Sequence, residues 1–231
     1  MADNGKQWVV ILSTMRSGST LLKALLGASQ DVSHLSETNF QCLTPADRKT
    51  LAQKHAEPIL ILKKPAWYHE TRCYPRLPQV TGLKKIVLIR DAADTIASLN
   101  RMSFRFAHKP MLRLSTPWLL KRYWLPVTRQ LHQNFPPGKD TMIVRYEDLC
   151  AQPLEQTARM FRFLGSERHE GTDTYSPPQG HWKWGSDDGS DTIRSLRVRP
   201  VLKRQHPKVL LDAITSSKEI QDLRAALGYL S

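Results

Sequence analysis

Long apolar runs are missing from this sequence of 231 residues. The longest, such as Trp8–Leu12 and Ile59–Leu62, fall far short of the roughly 20 residues that span a bilayer. The N-terminal stretch is polar, and the apolar run that follows it is too short for the core of a signal peptide. The sequence therefore predicts no transmembrane segment, and we expect a cytoplasmic protein.

Cysteine is scarce, and no CxxC pair occurs. The three cysteines, Cys42, Cys73 and Cys150, lie far apart in the chain. An odd number of cysteines at long spacings favours free thiols and matches neither a disulfide framework nor a zinc site. We therefore expect a protein that binds no metal.

Acidic residues are too few to balance the basic ones. The chain has 34 Lys and Arg against 21 Asp and Glu, a net charge of +13. Such an excess favours an anionic partner, which can be a nucleotide, a nucleic acid, an acidic substrate or a membrane surface. The apolar fraction of 40% is that of an ordinary globular protein and excludes a mainly disordered chain.

Apolar, β-rich segments alternate along the chain with segments whose apolar residues recur at helical spacing. The predicted strands are Trp8–Leu12, Val32–Leu35, Pro58–Lys63, Lys85–Arg90 and Thr141–Tyr146, and the predicted helices are Ser19–Ala28, Pro45–His55, Asp94–Arg101, Pro117–Phe135, Leu154–Leu164 and Pro207–Leu227. This alternation predicts an α/β fold with a central parallel β-sheet flanked by helices. No shift in composition marks a boundary, so we expect a single domain over residues 1–231.

A tight polar turn, Ser13–Gly18, separates the first predicted strand from the first predicted helix. N–H groups at a helix start lack intrahelical partners and carry the positive end of the helix dipole. Gly18 lets the backbone approach an anion closely, and Arg16 adds a charge. Three hydroxyl side chains supply further donors: Ser17, Ser19 and Thr20. The turn predicts a phosphate-binding loop, although a plain capped helix is the simpler alternative.

This loop is not that of nucleotide triphosphatases, because the leading glycine and the lysine of GxxxxGK[ST] are absent. Residues Arg16–Leu22, RSGSTLL, instead resemble the 5′-phosphosulfate loop of sulfotransferases, whose pattern is [RK]-S-G-[TS]-[TS]. Another segment, Arg145–Leu149 (RYEDL), follows a predicted strand as in that family, and we interpret it as structural.

The strand that ends at Arg90 carries the second part of the resemblance. In sulfotransferases a strand-end Arg and a Ser eight residues later hold a 3′-phosphate, and Ser98 stands at that spacing from Arg90. Asp91 and Asp94 match the family pattern as well, whereas Ala92 replaces the usual Pro. An Arg at the carboxyl end of a strand points into the crevice where open α/β sheets bind ligands.

The resemblance implies a P-loop-like fold and a donor, 3′-phosphoadenosine 5′-phosphosulfate (PAPS), which leaves as 3′-phosphoadenosine 5′-phosphate (PAP). It assigns donor binding to Arg16, Ser17, Gly18, Ser19, Thr20, Arg90 and Ser98. In the family a late loop closes over the adenosine. The candidates here are Arg194, Arg197 and Ser190. A basic surface run is an equally good interpretation of this segment, which also contains Trp182 and Trp184.

Glu37, 21 residues after Arg16, resembles the base of protein-tyrosine sulfotransferases. A carboxylate at a strand end beside the phosphate loop can reach an acceptor hydroxyl. His34 lies two residues earlier and would face the same side of a strand, so it is the competing base. His69 and His108 are weaker candidates, and a loop carboxylate paired with an arginine is the simpler interpretation of Glu37.

The pair Lys63-Lys64 ends the third predicted strand. In the family a Lys here contacts the oxygen that bridges phosphate and sulfate, a role that carries over to Lys63, with the register uncertain by one residue. A cation there stabilises the charge that grows as sulfur leaves, and Arg16 is the second catalytic cation that we expect.

The resemblance implies sulfuryl transfer to a hydroxyl acceptor: a phenol or tyrosine, a sugar or another metabolite. The basic excess is compatible with an acidic acceptor. The size of the chain and its lack of an anchor favour a bacterial enzyme. A nucleotide-dependent kinase of related fold and a basic nucleic-acid-binding module are the alternatives. We expect no nucleic-acid partner, because no nucleic-acid motif occurs, and the sequence does not predict an oligomeric state.

Overall fold

The computed structural model describes residues 5–33, 39–105, 115–176, 193, 195–201 and 205–229. Four parallel strands form one sheet in the order β2-β1-β3-β4. They are β1 (Gln7–Ser13), β2 (Ile59–Lys63), β3 (Lys84–Ile89) and β4 (Thr141–Arg145). Central β1 pairs Ile11 with Lys63 of β2 and Ser13 with Leu88 of β3. The predicted α/β fold with a parallel sheet is confirmed.

Helices cover both faces of this sheet. They are α1 (Ser19–Leu26), α2 (Pro45–Lys54), α3 (Ala92–Arg105), α4 (Thr116–Trp118), α5 (Leu125–Asn134), α6 (Tyr146–Ala151), α7 (Pro153–Leu164), α8 (Lys208–Thr215) and α9 (Lys218–Ala226). A π-helical segment, Leu119–Trp124, joins α4 to α5. In the part of the chain that the structure describes, no helix is long and apolar enough to cross a bilayer.

The bounds of several elements differ from the sequence prediction, and three of these differences change what an element contains. The helix predicted over Pro207–Leu227 is wrong: α8 ends at Thr215 and α9 begins at Lys218, because consecutive hydroxyl side chains at 215–217 favour caps over helix interiors. The strand predicted to reach Tyr146 ends one residue earlier, since Tyr146 already begins α6. Of the predicted strand Val32–Leu35, Val32 makes a single parallel bridge to Ile59, and residues 34 and 35 lie outside the described residues.

Alternate side chains of β1 pack into two cores, one on each face of the sheet. Val10 and Leu12 belong to the core covered by α3, α5, α8 and α9. Val9 and Ile11 belong to the core covered by α1 and α7. All four strands are parallel, so their carboxyl ends lie along one edge. Residues that follow β1, β2, β3 and β4 are thereby brought together there.

Candidate active site

The turn after β1 has two residues with left-handed backbone conformation and packs against the start of α6. Arg16 and Gly18 have φ angles of 64° and 92°, and the hydroxyls of Thr14 and Ser17 lie 2.5 Å apart inside the loop. A Cβ atom on Gly18 would lie 2.3 Å from Cδ2 of Tyr146. Only glycine fits this position, because both the φ angle and the close ring exclude a side chain.

Gly18→Ala is therefore expected to lower the free energy of unfolding by about 2–4 kcal/mol, since left-handed strain and overpacking add. Chemical denaturation measures this loss. Gly82→Ala is the matched control, because Gly82 also has a positive φ angle but has nothing within 4 Å of its Cβ position. Equal losses for the two variants would show that the contact with Tyr146 contributes nothing.

The N-terminus of α1 has features that favour an anion. Gly18 is its N-cap and gives no side-chain hydrogen bond to the first turn, which holds no acidic residue. Ser17, Ser19 and Thr20 are buried around it. N–H groups in the first turn of a helix have no intrahelical partner, and together with the helix dipole and these hydroxyls they favour a negatively charged group at this point.

The two lysines at the end of β2 have different partners. Lys63 is only 3% exposed. Its Nζ donates to Thr20 Oγ1 at 2.9 Å and so lies against the loop. Lys64 is paired with Glu70, whose other carboxylate oxygen accepts from the Trp67 N–H at 2.7 Å. Burial raises the pKa of Glu70, but these hydrogen bonds and the Lys64 charge leave that pKa below its usual value. Of the two lysines, Lys63 contacts the loop.

Arg90, directly after β3, is joined to the loop in two ways. Arg90 Nη1 donates to the Arg16 carbonyl at 3.0 Å, and its guanidinium lies 4.3 Å from the centroid of the Tyr146 ring. Ser98 lies on α3, and its Oγ accepts from Arg16 Nε at 3.1 Å. The two predicted anion-binding groups, the loop and the Arg90–Ser98 pair, thus meet in one site, with the Arg16 side chain directed at Ser98.

Two buried tyrosines fix the loop relative to β2, and the sequence analysis missed both. Tyr74 Oη accepts from the Ser13 N–H at 3.1 Å and donates to the Lys64 carbonyl at 2.8 Å. Tyr123 Oη accepts from the Met15 N–H at 2.6 Å and donates to the Ala66 carbonyl at 2.7 Å. Each hydroxyl thus bridges the chain at or just after the end of β1 and the segment that follows β2. No local sequence pattern marks these roles, although a buried tyrosine does require a polar partner.

The π-helical segment brings a second side chain to the same edge. Trp124, adjacent to Tyr123, donates from Nε1 to the Arg90 carbonyl at 3.3 Å. Neighbouring residues thus reach the ends of different strands. Short π-helical insertions are frequent at functional sites, and this one supports both the loop and the residue after β3.

Several predicted site residues lie outside the described part of the chain. They are Glu37, His34, His108, Ser190 and Arg194, together with Trp182 and Trp184. His69 is described and is exposed at the surface, two residues after the half-buried Trp67. The structure therefore brings together Arg16, Ser17, Gly18, Ser19, Thr20, Lys63, Arg90 and Ser98.

Comparison with solved structures shows the same fold in known sulfotransferases. The sulfotransferase domain from the curacin biosynthetic pathway is 19% identical with a TM-score of 0.60, over 97% of this chain and 98% of that chain. Mouse sulfotransferase SULT7A1, solved in complex with PAP, is 15% identical with a TM-score of 0.52, over 93% of this chain and 74% of that chain. Sulfotransferase STF9 from Mycobacterium avium is 12% identical with a TM-score of 0.55, over 96% of this chain and 76% of that chain.

No curated protein matches the chain significantly. A family model described as the sulfotransferase domain matches residues 6–176. That match spans β1 through β4 and includes the loop, Lys63, Arg90 and the RYEDL segment, the residues whose side chains and backbone meet at the carboxyl edge of the sheet. The chain therefore belongs to the sulfotransferase domain family.

Proposed function

We propose that this chain, as a single domain over residues 1–231, transfers a sulfuryl group from PAPS to a hydroxyl acceptor. The observation that carries the proposal is the convergence of three cationic side chains on one loop. Arg16 lies in the loop, Lys63 donates to Thr20, and Arg90 donates to the Arg16 carbonyl. A small donor with two anionic groups requires positive charge at two neighbouring positions, and these three side chains supply it.

The residues present fit both ends of that donor. At one end the N-terminus of α1, with Ser19, Thr20 and Lys63, suits a 5′-phosphosulfate. At the other end, Arg90 Nε is buried without a hydrogen-bond partner among the described residues. A buried guanidinium N–H without a partner is costly, and a phosphate oxygen would satisfy it. Mouse SULT7A1 is described in complex with PAP, and we propose PAP as the product here.

Arg16 links the two ends in this arrangement. Its side chain donates to Ser98, which we assign together with Arg90 to the 3′-phosphate site. Its backbone belongs to the loop that holds the 5′ end. We propose that Arg16 contributes charge to both anionic groups, and that Ser190 and Arg194 approach the adenosine side of the donor.

The donor supplies an activated sulfuryl group, and the protein's task is to position both reactants and to balance charge. Lys63 stabilises the negative charge that grows on the oxygen leaving sulfur. Glu37 accepts the proton of the acceptor hydroxyl, with His34 as the alternative base. An unperturbed Glu has a pKa near 4.3 and is ionised at neutral pH, so it can accept that proton.

A phenol is the acceptor class that this base suits best. A phenol loses its proton near pH 10, much closer to the range of a carboxylate than an aliphatic alcohol does. The net charge of +13 additionally favours an acidic acceptor. Transfer of labelled sulfate from PAPS to a panel of phenols, acidic tyrosine peptides and sugars, followed by mass spectrometry, tests this proposal.

Arg90→Ala is expected to remove most of the preference for a 3′-phosphate. Calorimetric titration with PAP and with adenosine 5′-phosphate, which lacks that group, measures the preference as a ratio of Kd values. Loss of a charged, partly buried donor should reduce the ratio by about 10²-fold. Arg159→Ala, which removes an arginine that bonds Gln156 away from the loop, should leave the ratio unchanged. Equal weakening of both ligands by Arg90→Ala would contradict the assignment.

Activity is expected to survive removal of divalent metal ions, because Arg16, Lys63 and Arg90 supply the positive charge at the proposed donor site. A sulfuryl-transfer assay in excess chelator measures this. Loss of transfer that magnesium restores, together with phosphoryl transfer from ATP, would favour the alternative of a nucleotide-dependent kinase.

A further inference from the structure

The RYEDL segment and the C-terminal part of the chain are joined by buried polar contacts to the turn that carries Arg90. The turn begins at Asp91, whose N–H donates to Glu147 Oε1 at 3.1 Å. Asp91 Oδ1 accepts from the Ala93 N–H at 2.8 Å and thereby caps α3. The other oxygen, Asp91 Oδ2, accepts from Arg224 Nε at 2.8 Å. Asp91 is thus held by Glu147 of α6 and by Arg224 of α9.

Glu147 is shared in the same manner between the turn and the C-terminal segment. Its second oxygen, Oε2, accepts from the Tyr229 hydroxyl at 2.8 Å. Burial raises the pKa of Glu147, while the hydrogen bonds from Asp91 and Tyr229 oppose that rise. Loss of either donor leaves a partly desolvated carboxylate without one of its partners, and the side chain is then free to shift.

The backbone at the end of α9 is shaped to make this contact. Gly228 has a φ angle of 75°, so the chain reverses and Tyr229 folds back over β4. The Arg145 guanidinium lies 4.4 Å from the centroid of the Tyr229 ring, and a Cβ on Gly228 would lie 3.2 Å from Arg145 Nη1. Tyr229 is therefore packed on both its ring and its hydroxyl.

Arg90 itself is positioned by the residues next to this network. Its guanidinium lies over the ring of Tyr146, the residue between Arg145 and Glu147. A shift of Glu147 would move Tyr146 and the Asp91 backbone together, and these flank Arg90 in space and in sequence. The network is therefore joined to Arg90 through its chain neighbour Asp91 and through Tyr146, the chain neighbour of Glu147.

We propose that Arg224 and Tyr229 are positioning residues for donor recognition: they hold Arg90, through Asp91 and Glu147, in the orientation that selects a donor carrying a 3′-phosphate. This inference rests on the proposed function, in which Arg90 binds that phosphate. It assigns to the C-terminal segment a part in substrate selection beyond its packing against the sheet.

The test measures the ratio of Kd values for adenosine 5′-phosphate and PAP in the full chain carrying Tyr229→Phe or Arg224→Gln. Each variant should lower the ratio by about three- to tenfold, the size of one ordinary hydrogen bond, because it acts on Arg90 only indirectly. Binding of adenosine 5′-phosphate should be nearly unchanged. The two variants remove donors to different carboxylates, Glu147 and Asp91, so the test remains available if one of the variants fails to fold.

Arg129→Ala is the matched control, because Arg129 pairs with Glu219 of α9 at 3.1 Å on the exposed side of the same helix. It should leave the ratio unaltered. In the double variant Arg90→Ala/Tyr229→Phe, the second substitution should cause no further loss of preference, since both act on one contact.

The outcomes separate the two proposals. If Arg90→Ala removes the preference but Tyr229→Phe and Arg224→Gln weaken both ligands equally, the C-terminal segment is merely structural and this inference fails. Additive losses in the double variant would overturn it as well. If Arg90→Ala keeps the preference, the proposed 3′-phosphate site itself is wrong, and the inference falls with it.

Discussion

Glu37→Gln is expected to lower kcat for sulfuryl transfer by about 10²–10⁴-fold, the usual contribution of a general base. The amide keeps the shape of the side chain but cannot accept the acceptor's proton at neutral pH. PAP affinity, measured by calorimetry, should change little, because donor binding is assigned to the loop, Lys63 and Arg90. The kinetic loss should therefore appear without a loss of donor binding.

His34→Ala is the companion variant for this experiment. Near-normal turnover of Glu37→Gln combined with inactivity of His34→Ala would identify His34 as the base. If both variants keep normal turnover, the base lies elsewhere and the alignment of this segment with tyrosine sulfotransferases is wrong. Saturating donor and acceptor in each assay separates these outcomes from simple changes in KM.

Lys63→Met is expected to lower kcat by about 10²–10³-fold, since it removes a positive charge from the position where negative charge develops. Met preserves most of the length of the buried side chain, so its packing against the loop is largely kept. Thr20 loses one donor, but it lies beside the N-terminus of α1 and has N–H groups nearby. The effect on turnover should exceed the effect on PAP affinity.

The neighbouring ion pair provides the control for Lys63. The double variant Lys64→Met/Glu70→Gln removes both charges of the pair at the same strand end and leaves no unpaired buried charge. We expect its kcat to stay within a few-fold of the unaltered chain. If this double variant loses as much turnover as Lys63→Met, the loss reflects general disturbance of the strand end and not a role of Lys63 in catalysis.

Local patterns predicted the elements that hold the loop. Three of these elements are neighbours in sequence: the apolar run in β1, the turn over Ser13–Gly18 and the apolar spacing of α1. Hydrophobic periodicity and the free N–H groups of a helix start are both local properties, so the sequence predicts them directly. Arg90 was placed correctly at the carboxyl end of a strand for the same reason. The resemblance to sulfotransferases assigned the loop and Arg90 to one donor, and the shared edge of the parallel strands is the physical reason that the two lie close together.

Contacts between distant parts of the chain decided the rest. Nothing local distinguishes Lys63 from Lys64; the difference arises because Glu70 takes one of them and Thr20 the other. The break between α8 and α9 was missed because apolar spacing continues across residues 215–217, although their hydroxyl side chains favour a cap.

The sequence by itself therefore determined the residue types at the candidate site: its basic character, the loop between β1 and α1 and the strand-end arginine, all set by residue type and short-range spacing. Tertiary structure alone decided which side chains fix the loop and the residues after the strands, and in what orientation. Tyr74 and Tyr123 reach the loop across 61 and 108 residues, and Tyr229 reaches Glu147 across 82. Such pairs follow from burial, which forces each polar group to find a partner wherever the folded chain supplies one.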